Sequence, residues 1–261
     1  AIPITDTGGA NTRATNFGLY LDGSITNTGD GTITLVGTAG GNGNGISNTG
    51  VRVLGTTFST VNGALNITGT GGGGGTSTGN HGVLISALNI TGTGGNSAGT
   101  GGTNHGIYSS NANGIQTTGS GAIVLTGIKG GQATSYGIYG DAANEYNTTG
   151  TGNISVYTDT ISLTGAGAIN SIGVLTLAPL TNGLSMGIGS GAGSLSFTDA
   201  LKASAYANYY IYGSLTTGDI TINTAYDYID KGVKFISGSN INLAGNLVKG
   251  TGATTVAYGF Q

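Results

Sequence analysis

Two histidines, His81 and His105, each precede a glycine and a short apolar run, in His81-Gly82-Val83-Leu84-Ile85 and His105-Gly106-Ile107-Tyr108. A pair of neutral imidazoles held in register on neighbouring repeats is a metal-binding arrangement. Phe17 and Tyr136 hold the same place in Phe17-Gly18-Leu19 and Tyr136-Gly137-Ile138, and Asn44 interrupts the series in Asn44-Gly45-Ile46. A ladder of flat side chains stacked along successive coils accounts for all four rings. No metal, cofactor or catalytic residue is therefore assigned.

Three other groups of residues carry potential chemistry. Asp219, Asp227 and Asp230 would be the acid cluster of a polysaccharide-cleaving enzyme, which needs two carboxylates at a fixed separation. The chain has only ten acidic residues, most of them beside turn signals, so capping is the simpler role. Thr32, Thr34, Asn66, Thr68, Asn89, Thr91 and Thr126 fall at polar positions of alternating runs. Aligned on one face, they would offer a flat polar surface to ice, a glycan or another copy of the chain; they are also ordinary solvent-facing strand residues. Tyr206, Tyr209, Tyr210 and Tyr212 form the densest aromatic cluster, suited either to a recognition surface or to packing against a neighbouring helical stretch.

The elements that must position these residues are read from a recurring phrase. A small residue opens a short alternating run that ends at glycine, as in Gly31-Thr32-Ile33-Thr34-Leu35-Val36-Gly37, Gly63-Ala64-Leu65-Asn66-Ile67-Thr68-Gly69 and Gly121-Ala122-Ile123-Val124-Leu125-Thr126-Gly127. Alternation with period two predicts strands with one buried and one displayed face. The aromatic-Gly phrase supplies a second strand per period, and segments such as Gly114-Ile115-Gln116-Thr117 a third. Counted from Gly18 through Gly45, Gly82 and Gly106 to Gly137, the periods are 27, 37, 24 and 31 residues. Stacked coils with corner loops of variable length explain both the repetition and its inequality. The glycine tracts, Gly71 to Gly75 among them, are the expected corners.

Composition narrows the function. The 261 residues include 55 glycines, two prolines and no cysteine, with 37% apolar residues and a net charge of −3. Collagen needs a strict triplet and abundant proline. Disorder fits the glycine but not the patterned apolar residues. Seven dispersed basic residues give no stripe for nucleic acid, and no apolar run approaches the roughly 20 residues of a membrane helix. Beginning at Ala1-Ile2-Pro3, the sequence reads as a processed chain or a piece of a longer one. Two parts are distinguished: glycine-rich repeats over 1–146, and a tighter continuation over 147–261 with a short helical turn near 198–205, capped by Thr198 or Asp199.

The second part, through Gly152-Asn153-Ile154, Thr160-Ile161-Ser162-Leu163-Thr164-Gly165-Ala166, Gly173-Val174-Leu175-Thr176-Leu177-Ala178-Pro179, Met186-Gly187-Ile188-Gly189 and Thr198-Asp199-Ala200-Leu201, resembles the repeats of giant secreted bacterial surface proteins of the filamentous haemagglutinin type. The resemblance implies an all-β fold, a right-handed parallel β-helix, displayed outside the bacterial cell with adhesive, filament-forming or biofilm-matrix roles. The expected partners are copies of itself end to end, and glycans or the surface of a host or neighbouring cell. A carbohydrate-active enzyme on the same fold and an ice-binding face are the alternatives. The recognition surface is expected among Thr32, Thr34, Asn66, Thr68, Asn89, Thr91 and the four clustered tyrosines.

Overall fold

A computed structural model of the protein describes residues 2–9, 15–22, 25–27, 33–41, 47–54, 58–60, 65–73, 80–84, 90–93, 103–109, 115–117, 122–148, 150–223, 226–227, 231–244, 247–248 and 258–260. The chain is nearly all β, and every strand pairing is parallel, the arrangement of a β-helix or solenoid. A long sheet carries a path of ten strands in chain order, from Ile2–Thr7 to Tyr258–Phe260. A second face stacks six strands, from Leu19–Asp22 through Val51–Leu54, Val83–Leu84, Ile107–Ser109 and Ile138–Gly140 to Ile161–Leu163. The third face includes Ile115–Thr117 and Tyr146–Thr148, which pair with each other in turn. The long sheet runs across the change of texture near residue 147, since Ile123–Ile128 pairs with Ile154–Thr158.

Register follows from burial. An inward column of the long sheet includes Ile4, Leu35, Ile67, Leu125, Val156, Leu177, Tyr212 and Phe235. A slip of one residue would turn every one of these side chains to the outside. Leu35, Ile67, Leu125 and Val156 are fully enclosed, each contributing roughly 1.5–3 kcal/mol relative to exposure. The length of a coil matters little to this register: Val156 to Leu177 takes 21 residues, and Ile90 to Leu125 takes 35.

The glycine that reads as a strand stop is in fact a strand residue. Gly37, Gly69 and Gly127 lie inside Ile33–Thr38, Leu65–Thr70 and Ile123–Ile128, two positions after the inward Leu35, Ile67 and Leu125, and point inward themselves. A Cβ on Gly37 would stand 2.2 Å from the Gly50 carbonyl oxygen, and one on Gly69 would stand 1.9 Å from that of Gly82. The long face and the second face therefore converge until backbone meets backbone. No side chain fits in that wedge. The aromatic-Gly phrase supplies the opposing glycine, and its register corrects the sequence reading: Gly18 aligns with Gly50 and Gly82, because Leu19, Val51 and Val83 pair. Gly45 lies outside the described residues. The first two intervals are then both 32 residues.

After Gly127 the wedge opens. Thr158 follows in its column, fully buried, with its hydroxyl donating to the Gly127 carbonyl at 2.9 Å. Further along, the interior is wide enough for Tyr212 between Phe197 and Phe235, with ring centroids 5.3 and 5.7 Å away. The thinning of glycine along the sequence thus records a widening interior. In this part the chain also steps backward: Met186–Gly189 pairs in parallel with both Leu195–Phe197 and Ile220–Asn223, on opposite edges. The return through residues 190–194 runs against backbone at Gly191 and Gly193, where a Cβ would lie 2.0 Å from the Thr221 carbonyl oxygen and 2.1 Å from the Gly187 nitrogen. A single helix is found among the described residues, Asp199–Ala203, capped by Thr198, whose hydroxyl accepts from the Leu201 amide at 3.3 Å. None of the described helix is long and apolar enough to cross a membrane.

With the two faces in contact, Gly69→Ala destabilises the fold by roughly 1–3 kcal/mol, the range of an overpacked core. Gly9→Ala, where nothing lies within 4 Å of the added methyl group, leaves stability unchanged. Urea unfolding of the two variants checks this; equal midpoints would contradict the wedge.

Candidate recognition groove

An asparagine ladder fixes the corner at which the second face begins. The Asn16 amide donates to Asn48 Oδ1 at 3.1 Å, the Asn48 amide to Asn80 Oδ1 at 2.9 Å, the Asn80 amide to Asn104 Oδ1 at 3.1 Å, and the Asn104 amide to Ser135 Oγ at 2.8 Å. Asn48, Asn80 and Asn104 are fully buried, so each side-chain Oδ1 accepts from an interior backbone N–H that would otherwise cost about 1–3 kcal/mol. The side chain that follows each rung is consequently held at one height per coil. These are Phe17, Thr49, His81, His105 and Tyr136.

The expected stack is present, with one change of membership. His81 and His105 lie 5.9 Å apart with rings 5° from parallel, and His105 and Tyr136 lie 5.8 Å apart at 14°. Thr49 interrupts the series, because Leu19, Val51 and Val83 pair; Asn44 lies outside the described residues. A second row runs beside the first on the strands themselves, through Tyr20, Arg52, Tyr108 and Tyr139, with Leu84 at the register position between Arg52 and Tyr108. The Arg52 guanidinium sits 5.0 Å above the Phe17 ring. Tyr139 stacks on His105 at 4.4 Å and 5°, and tilts against Tyr108 at 5.4 Å.

Electrostatics leave the two stacked histidines neutral. Burial lowers the pKa of His81 to about 4, helped by His105 and Arg52 beside it. Burial lowers that of His105 to about 4 as well, and its Nδ1 accepts from the Tyr136 amide at 3.0 Å. Neither carries charge near pH 7. Among the described residues no three His, Cys, Asp or Glu side chains converge as metal ligands.

A cavity of about 610 Å³ opens where the rows end, lined by Tyr108, Tyr136, Tyr139, Asp141, Ser162 and Thr164 among others. Asp141 accepts from the Tyr108 hydroxyl at 3.0 Å. Glu145 positions it from beneath: its Oε1 accepts from the Asp141 and Ala142 amides at 2.9 and 2.8 Å. The Glu145 carboxyl is fully buried, and Oε2 has no partner. Burial raises its pKa to about 7, and Asp141 adds to the effect against the two amides.

The residues expected at a recognition surface are distributed differently. Thr34 and Asn66 pair in one outward column of the long sheet, and Val36, Thr68 and Thr126 fall in the next, with Thr91 at the register position between Thr68 and Thr126. Val36 and Val124 interrupt the threonine pattern, and Thr32 and Asn89 lie outside the described residues. Alternation along Ala205–Gly213 divides the tyrosines, which corrects the expectation for two of them. Tyr210 is buried, its hydroxyl accepting from the Ala207 amide at 3.0 Å, and Tyr212 is enclosed between phenylalanines, so both belong to the core. Tyr206 is exposed, with the Lys231 ammonium 2.7 Å from its hydroxyl, and Tyr209 is half-buried. Asp219 is a corner cap, accepting from Ser239 Oγ at 2.6 Å and from the Asn240 amide at 3.1 Å, bonds that hold its carboxyl below the usual range. Asp227 lies in the strand Tyr226–Asp227, and Asp230 lies outside the described residues.

No protein-family model, curated protein or solved structure matches the chain.

Glu145 and the histidines pull stability in opposite directions with pH. Glu145 holds its proton more tightly when folded, so stability is lost as pH rises from its ordinary value of 4.5 through about 7. The histidines hold theirs less tightly, so their contribution is present above 6.5 and fades toward pH 4. Glu145→Gln should flatten the alkaline limb, losing less Tm than the parent between pH 4.5 and pH 8. Parallel curves by circular dichroism would contradict a raised pKa at the buried Glu145.

Proposed function

We propose that the chain is a structural and adhesive segment of an exported bacterial surface protein, a right-handed parallel β-helix that extends and displays side chains on its outer faces. The supporting observation is the parallel register shared by ten successive strands, which lets one outer row recur coil after coil. Right-handedness follows from the general rule for parallel strands joined by crossovers. The glycine tracts serve as its corner loops. The resemblance to repeats of the filamentous haemagglutinin type agrees with this reading, as does an outward surface with few charges.

Its partners are further copies of itself, added end to end, and glycans on a host or neighbouring cell. Coils stack by main-chain pairing and apolar columns, so another coil can add in the same register, whichever molecule supplies it. The proposed role is structural rather than enzymatic, in keeping with Asp219, one of the three acid-cluster candidates, capping a turn of the next coil. In negative-stain electron microscopy and sedimentation velocity the purified protein should form concentration-dependent end-to-end oligomers or filaments. Strictly monomeric short rods at every concentration would refute self-assembly.

A further inference from the structure

We infer that the cavity at the end of the aromatic rows binds a neutral oligosaccharide. This deepens the adhesive reading and rests on it for the purpose of the site, whereas the chemistry comes from the cavity itself. In the row on the strands Tyr108 pairs with Tyr139, and Tyr139 with Ser162. The ladder of rings therefore stops at Tyr139. Ser162 stands where the next ring would be, and the cavity includes the space left there. A flat, ring-shaped group entering it would stack on Tyr139 as Tyr139 stacks on His105, at 4.4 Å.

The remaining lining decides what kind of ring. Ser162 and Thr164 present hydroxyl groups, and the Asp141 carboxylate accepts hydrogen bonds, with one oxygen already taking the Tyr108 hydroxyl. Such a set pairs with a ligand rich in hydroxyl groups around an apolar ring face. Anionic sugars are disfavoured, because Asp141 is the charged member of the lining, no lysine or arginine joins it, and His105 is neutral near pH 7. At about 610 Å³ the space falls within the roughly 300–1,000 Å³ of clefts that enclose small ligands. A quaternary ammonium group would also find aromatic faces and a carboxylate here. It would give the Ser162 hydroxyl no partner, while Thr164 already donates to the Gly140 carbonyl at 3.4 Å, so the saccharide is the better match.

The test uses isothermal titration calorimetry and saturation-transfer NMR on the full chain, with cellopentaose, laminaripentaose and mannopentaose as neutral probes. Trigalacturonate is the anionic probe, and tetramethylammonium the cationic one. At least one neutral pentasaccharide should bind, and Tyr139→Ala should weaken it about tenfold, the loss of one well-buried aromatic contact. Ser162→Tyr, which extends the ladder into the cavity, should abolish binding while the circular dichroism spectrum and Tm stay those of a folded chain. This second variant keeps the test sound if Tyr139→Ala fails to fold. Silence of all neutral probes at millimolar concentration overturns the inference. So does tighter binding of tetramethylammonium, or saccharide binding that survives Ser162→Tyr. Failure here with end-to-end assembly intact removes only this site. Assembly failing while saccharide binding persists removes only the self-association.

Discussion

Backbone meeting backbone in the wedge between the long face and the second face is the constraint on which the rest of the structure depends. Hydrophobic burial alone would tolerate many coil shapes, but a contact in which an added methyl group would lie 1.9 Å from a carbonyl oxygen tolerates one. Glycine at Gly37, Gly69 and Gly127 is thus a steric requirement of an interior strand position. With the wedge closed, apolar columns from the converging faces, among them Leu35 and Ile67 on one and Val51 and Val83 on the other, fill the interior, and the loops beyond can vary in length without disturbing what they connect.

The groove inherits its order from that corner. Each asparagine rung sits one coil above the last, and the ring that follows it is carried at the same height, which brings His81, His105 and Tyr136 into a stack. Both the wedge and the aromatic rows give out in the same region of the solenoid. Thr158 takes the place of the wedge glycine, and Ser162 the place of a tyrosine, leaving a cavity between the thin part of the solenoid and the wide part filled by Tyr212, Phe197 and Phe235. Glu145, its pKa raised by burial, braces the turn on the rim of that cavity.

Strand identity was legible because alternation has a physical cause: Ile33, Leu35, Ile123 and Leu125 face inward as their period requires. The ring stack was legible from the repeated aromatic-Gly phrase. Register was less so, since Asn44-Gly45-Ile46 and Asn48-Thr49-Gly50-Val51 compete for one place, and only the pairing of Leu19 with Val51 chooses between them. The signal that would have chosen was present in the asparagine two residues before each glycine, at Asn16, Asn48, Asn80 and Asn104. The burial of Tyr210 and Tyr212 was hidden because a tyrosine-rich strand looks alike on both faces until the width of the interior is known. Glu145 left no trace in the sequence, as its role comes from folding back onto the Asp141 and Ala142 amides.

In-register stacking is the central claim, and a single distance tests it. Thr34 and Lys234, two hundred residues apart, lie on one outward column, separated by seven steps of the long sheet. The chain has no cysteine, so Thr34→Cys and Lys234→Cys can be spin-labelled cleanly. Double electron–electron resonance should give one narrow distribution near about 34 Å, seven strand spacings of ~4.8 Å each. A broad distribution, or one displaced by more than the length of the labels, would contradict the stacked solenoid.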